Sequence, residues 1–74
     1  MQAEKKTTRG KGIMLPNLKR ERHRAGLSLR ELEELSGVPN SRISLLENGR
    51  SGAQGRTVRR LAEALGVTPK DLVG

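Results

Sequence analysis

Asn40, Ser41 and Arg42 stand in a row directly after Val38-Pro39 and directly before the aliphatic run Ile43-Ser44-Leu45-Leu46. An amide, a hydroxyl and a guanidinium at the start of an apolar-periodic segment offer hydrogen bonds, not bond-breaking chemistry. A helix that only fills a core has no use for Pro-Asn-Ser-Arg in its first turn, whereas a helix whose first turn enters a nucleic-acid groove does. The local alternative is that Asn40 and Ser41 merely start the helix, since both types cap well, and that Arg42 is solvated. Catalysis is poorly served. The chain has one histidine, His23, and no cysteine, and its glutamates are scattered over helices. There is no Ser-His-Asp order, no phosphate-binding glycine loop and no metal-ligand spacing. No enzyme activity, metal or cofactor is expected.

The charge balance agrees. Fifteen Lys and Arg against eight Asp and Glu leave +7 on 74 residues, an excess that draws polyanions. There is no Phe, Tyr or Trp, so the core must be aliphatic, and the stacking platforms usual in single-strand binders are missing. No apolar run approaches the roughly 18–20 residues of a membrane span, and the amino terminus does not read as a signal peptide. A cytoplasmic protein with no membrane contact is the expectation.

The elements that position Asn40–Arg42 are short helices joined by tight turns. Residues 1–13, with Lys5, Lys6, Arg9 and Lys11 and no apolar face, read as a flexible basic arm. Residues 14–74 read as one domain. Helix one is expected over Pro16–Arg24, stopped by Gly26. Helix two starts at Ser28, with Glu31 at capping-box spacing, and ends at Ser36-Gly37. Helix three starts near Pro39-Asn40-Ser41 and ends at Asn48-Gly49. After the loop Arg50–Gly55, helix four spans about Arg56–Leu65 with Val58, Leu61, Ala62 and Leu65 as its buried stripe. A last helix covers Thr68–Val73, capped by Thr68 and Asp71. No strand pattern competes.

Residues 29–48 form two helices around the turn Ser-Gly-Val-Pro-Asn, with Gly37 at the ninth of twenty positions. A glycine there turns the second helix across the first, and Leu32, Val38, Ile43 and Leu46 fall where the two must pack. This is a helix-turn-helix arrangement, whose second helix lies in the DNA major groove.

The stretches GLSLRELEELSGVPNSRISLLENGR and TVRRLAEALGVTPKDL resemble the Xre/Cro family of helix-turn-helix regulators, which includes the lambdoid phage repressors. The resemblance spans Leu18–Leu72. It implies an all-α, compact five-helix, lambda-repressor-like domain that binds double-stranded DNA as a homodimer. Its roles, carried over by position, put Asn40, Ser41, Arg42, Ser44 and Leu45 against bases. Asn can pair bidentately with adenine, Ser can donate or accept, and a Leu methyl can meet a thymine methyl. Ser28 with the amides that follow from Leu29 would take a phosphate, as would Asn48, Arg50, Arg56 and Arg59. The resemblance also implies an ion pair between Arg22 and Glu47, and a two-fold interface at Leu72 or Val73.

The chain departs from that pattern at several positions. Leu29 replaces the usual Gln that braces the recognition helix. Glu33 stands where a small Ala is usual, and must lean out or find a cation such as Arg42. Glu21 replaces a core aliphatic, and Ala53 and Gly55 replace a common proline and leucine. Leu29 and Leu45 put apolar groups on the side expected to face DNA, which leaves room for a protein partner. The expected function is a sequence-specific transcriptional repressor on a palindromic operator. The rivals are a protein-interaction module (an antitoxin or adaptor) on the same fold, and a nonspecific DNA binder. No small-molecule effector is expected to act within these residues.

Overall fold

The helices begin and end where the chain supplies partners for their free backbone groups. The computed structural model describes residues 12–74, so Lys5, Lys6, Arg9 and Lys11 of the expected arm lie outside the described residues. The helices are α1 (Leu18–Arg24), α2 (Leu29–Ser36), α3 (Asn40–Glu47), α4 (Gly55–Leu65) and α5 (Pro69–Val73). At the start of α2 the Ser28 hydroxyl accepts from the Glu31 amide at 3.0 Å, and the Glu31 carboxylate accepts from the Ser28 amide at 2.8 Å. These reciprocal bonds satisfy two amides that the helix cannot. At α5 the Thr68 amide and hydroxyl both donate to the Asp71 carboxylate. Those bonds favour the charged form and hold the Asp71 carboxyl below its ordinary value.

Two boundaries differ from the sequence expectation. Helix α1 begins at Leu18, two residues after Pro16, because Asn17 is engaged elsewhere. Its backbone amide donates to the Leu72 carbonyl and its side chain to the Asp71 carbonyl, both at 3.1 Å. Pro16 and Asn17 therefore form a turn that ties α5 to α1. Helix α4 begins one residue early, at Gly55, with Gln54 as its N-cap.

Among the described residues one extended pairing is present. Ile13 and Ala53 form an isolated antiparallel bridge, with N–H···O distances of 2.7 and 2.8 Å. Gly12 makes it possible. Its φ is +72°, and a Cβ there would sit 2.7 Å from the Gly52 carbonyl carbon, so only a residue without a side chain fits.

The five helices close a ring of contacts, α1 on α3, α3 on α2, α2 on α4, α4 on α5 and α5 on α1. The ring surrounds a core of Leu15, Leu18, Leu32, Val38, Ile43, Leu46, Ala53, Val58, Leu61, Ala62, Leu65 and Leu72. Each fully buried leucine contributes about 1.5–3 kcal/mol of burial, and a chain this small has few to lose. Leu72 belongs to this core with none of its surface exposed. It therefore has no face left for the expected two-fold interface, and of the two candidates only Val73 is exposed. Glu21 occupies the core-facing position the sequence suggested. It is buried on α1, with Oε2 3.3 Å from Arg20 and 3.6 Å from Arg24, so two flanking guanidinium groups offset its charge.

Candidate nucleic-acid interface

Helix α3 is divided lengthwise by burial. Ile43 and Leu46 are fully buried and fix it to the body, while Ser41, Arg42 and Leu45 are exposed and Asn40 and Ser44 half-exposed. The structure thus brings all five residues expected at bases onto the outward part of one short helix. Leu45 is 44% exposed. Leu29 is different. It is half-buried and packs against the core, so the apolar face expected from Leu29 and Leu45 together reduces to Leu45.

The turn ahead of α3 is built by Ser36 and Gly37. The buried Ser36 hydroxyl donates to the Leu32 carbonyl at 2.7 Å and accepts from the Val38 amide at 3.1 Å. It thereby satisfies two backbone groups that the bend leaves free. Gly37 then takes φ +80°, the left-handed region where a Cβ is costly. The Ser36 role escaped the sequence reading, although a serine directly before a turn glycine is the available signal.

The far end of α3 is held by Arg22. Its Nε lies 2.6 Å and its Nη2 3.1 Å from the two Glu47 oxygens, and Nη1 donates to the Leu27 carbonyl at 2.8 Å. Both side chains are about nine-tenths buried or more. The hydrogen bonds that Arg22 donates to Glu47 raise its pKa above the ordinary value against the opposing effect of burial. Asn48 closes the helix by donating to the Ser44 carbonyl at 2.8 Å, so part of its hydrogen-bonding capacity is used internally.

The amino end of α3 departs from expectation. Asn40 is the first helical residue, and no side chain caps the helix. Its Nδ2 instead donates to Glu33 Oε1 at 2.7 Å. Glu33 therefore takes Asn40 as its partner, not Arg42, whose side chain is exposed. The seven-residue spacing crosses the turn and follows no helical or strand period, so only the fold brings the two together.

Arg30 on α2, Arg50 after α3, and Arg56, Arg59 and Arg60 on α4 are exposed. Ser28 is exposed at the amino end of α2. The arrangement is a polar helix face on a cationic body, suited to seating in a groove between phosphates.

The fold and this face define a class, the helix-turn-helix DNA-binding regulators. The family model described as a helix-turn-helix domain matches residues 17–73, and the chain belongs to that family. It is an Xre-type DNA-binding transcription regulator. The chain is similar to the restriction-modification controller protein C.AhdI from Aeromonas hydrophila, known from a high-resolution crystal structure. The TM-score is 0.71 and the sequence identity 33%, over 74% of this chain and 83% of that one. No curated protein sequence matches the chain. No helix among the described residues is long and apolar enough to cross a membrane.

Proposed function

We propose that this protein is a repressor that reads a palindromic operator as a homodimer, with half-sites about one helical turn apart. The observation that carries the reading is the split of α3, with Ile43 and Leu46 locked in the core and Ser41, Arg42 and Leu45 facing out. Asn40, Ser41, Arg42, Ser44 and Leu45 supply base contacts in this reading. Ser28 with the Leu29 amide, Asn48, Arg50, Arg56 and Arg59 supply phosphate contacts. The formal charge of +7 supplies affinity that falls steeply with salt. Val73, 41% exposed at the end of α5, is the residue proposed for the dimer interface. The likeness to a restriction-modification controller protein supports a regulatory role, which we place in the cytoplasm.

Selection of random duplex DNA by the purified chain at near-physiological salt tests the proposal. A palindromic consensus is the expected result. Binding without any enriched sequence would overturn it. A second reading, a protein-interaction module on the same fold, is favoured by two exposed leucines, Leu45 at 44% and Leu35 at 61%. It predicts weak, sequence-independent DNA binding and capture of a protein through one or both of these leucines.

A further inference from the structure

A carboxylate on the surface that meets a polyanion is a liability unless it has a task. Glu33 sits on α2 beside the amino end of α3, half-buried, with its Oε1 2.7 Å from Asn40 Nδ2. Among the described residues no cation pairs with it. An ionised carboxylate can only accept, so only the nitrogen side of the Asn40 amide can face it. That chemistry sets which way the amide is turned, a choice that an isolated asparagine leaves open. With one N–H given to Glu33, Asn40 keeps Oδ1 and its second N–H. One acceptor beside one donor complements the N7 acceptor and N6 donor of adenine. Guanine presents two acceptors along the same edge, and its O6 opposes Oδ1.

We propose that Glu33 is a specificity-determining positioning residue. It turns the Asn40 amide so that each half-site carries an adenine beneath it. This rests on the DNA-reading role proposed above. Glu33 acts through Asn40 and touches no base itself. Its negative charge at the same time weakens binding to every sequence.

The test compares the wild-type chain with Glu33→Ala, Asn40→Ala and the double variant, each confirmed as folded by circular dichroism. Selected duplexes are scored at the position under Asn40. The wild type is expected to prefer adenine there by about 10-fold or more, within the range of a good bidentate pair. Glu33→Ala is expected to lose most of that preference, leave the other positions intact and bind random DNA more tightly. The double variant should show no further loss beyond Asn40→Ala, because the two residues act as one unit. Unchanged adenine preference in Glu33→Ala overturns the proposal. So does a Glu33 effect on base preference that persists without Asn40, since Glu33 would then be reading a base directly. If the wild type selects no sequence at all, the operator-reading function fails instead. The positioning contact is then judged on the free protein. The Asn40 side-chain amide should give resolved, rigid nitrogen-15 NMR signals that become mobile in Glu33→Ala. Mobile signals in the wild type would overturn the positioning role independently of DNA.

Discussion

Arg22 and Glu47, 25 residues apart in the chain, meet in a two-point ion pair at 2.6 and 3.1 Å. The same guanidinium also holds the Leu27 carbonyl. One side chain thus joins α1, the turn ahead of α2 and the end of the recognition helix. The pair stabilises little relative to well-packed apolar residues, but losing one partner strands the other charge in the interior. Arg22→Ala or Glu47→Ala should each cost about 3–5 kcal/mol, comparable to the whole stability of a small domain. Replacing both by methionine and leucine should cost much less. Urea unfolding of the three variants measures this, and a single-variant cost below about 1 kcal/mol would mean the pair behaves as an exposed one.

The bridge between Ile13 and Ala53 depends on Gly12. Gly12→Ala forces a Cβ into the Gly52 backbone at a positive φ. The bridge should open at a cost of about 1–3 kcal/mol. Hydrogen exchange is the local readout. The Ile13 and Ala53 amides should lose protection while those of α2 and α4 keep theirs. Unchanged protection at Ile13 would show that the backbone relaxes around the added methyl.

Asp71 gives the last helix an acid sensitivity. Its folded pKa lies below the ordinary 3.8, first because of the Thr68 amide bond. Its contribution is therefore fully present above the ordinary carboxylate range and lost as pH falls through the depressed folded value. NMR titration should show the α5 amides shifting with the Asp71 carboxyl, below the pH at which a model aspartate titrates. Asp71→Asn should remove that transition, and an unchanged α5 titration in this variant would assign it to another group.

Contacts to phosphate and to bases should separate by salt and by sequence. Arg56→Ala or Arg59→Ala should weaken binding to all duplexes about equally and reduce the salt slope by about one unit. Arg42→Ala should weaken binding. Asn40→Ala should relax preference at one base pair by about 1–3 kcal/mol. Binding isotherms at several salt concentrations on matched and mismatched duplexes make the distinction. Equal loss on all sequences for Asn40→Ala would remove its reading role.

Most of the fold was legible along the chain because its signals are local. The helix starts at Ser28 and Thr68, the stops at Gly26, Gly37 and Gly66, and the stripe Val58-Leu61-Ala62-Leu65 each lie within one or two turns. Such spacing is set by the 3.6-residue period and by backbone groups that need partners nearby. The α3 face was readable for the same reason, since Ile43 and Leu46 fall on one side of a short helix. The family pattern added the pairing of Arg22 with Glu47, which no local period encodes.

Apart from the Arg22–Glu47 pair, what needed the tertiary structure was the contacts made across a turn or between distant segments. Asn17 gives its hydrogen bonds to α5, so α1 starts late. Gly12 and Ile13 meet Gly52 and Ala53 through backbone groups that carry no sequence signal. Leu72 and Val73 are neighbours of similar chemistry, yet the orientation of α5 buries one and exposes the other. Glu33 faces either a cation or an amide as far as its residue type is concerned, and the crossing of α2 and α3 decides for Asn40. The chain itself determined its class and its helix-turn-helix motif, because periodicity and capping are short-range. The three-dimensional fold decided how Asn40 is held, because a hydrogen bond between side chains depends on distances of a few tenths of an ångström that no spacing along the chain specifies.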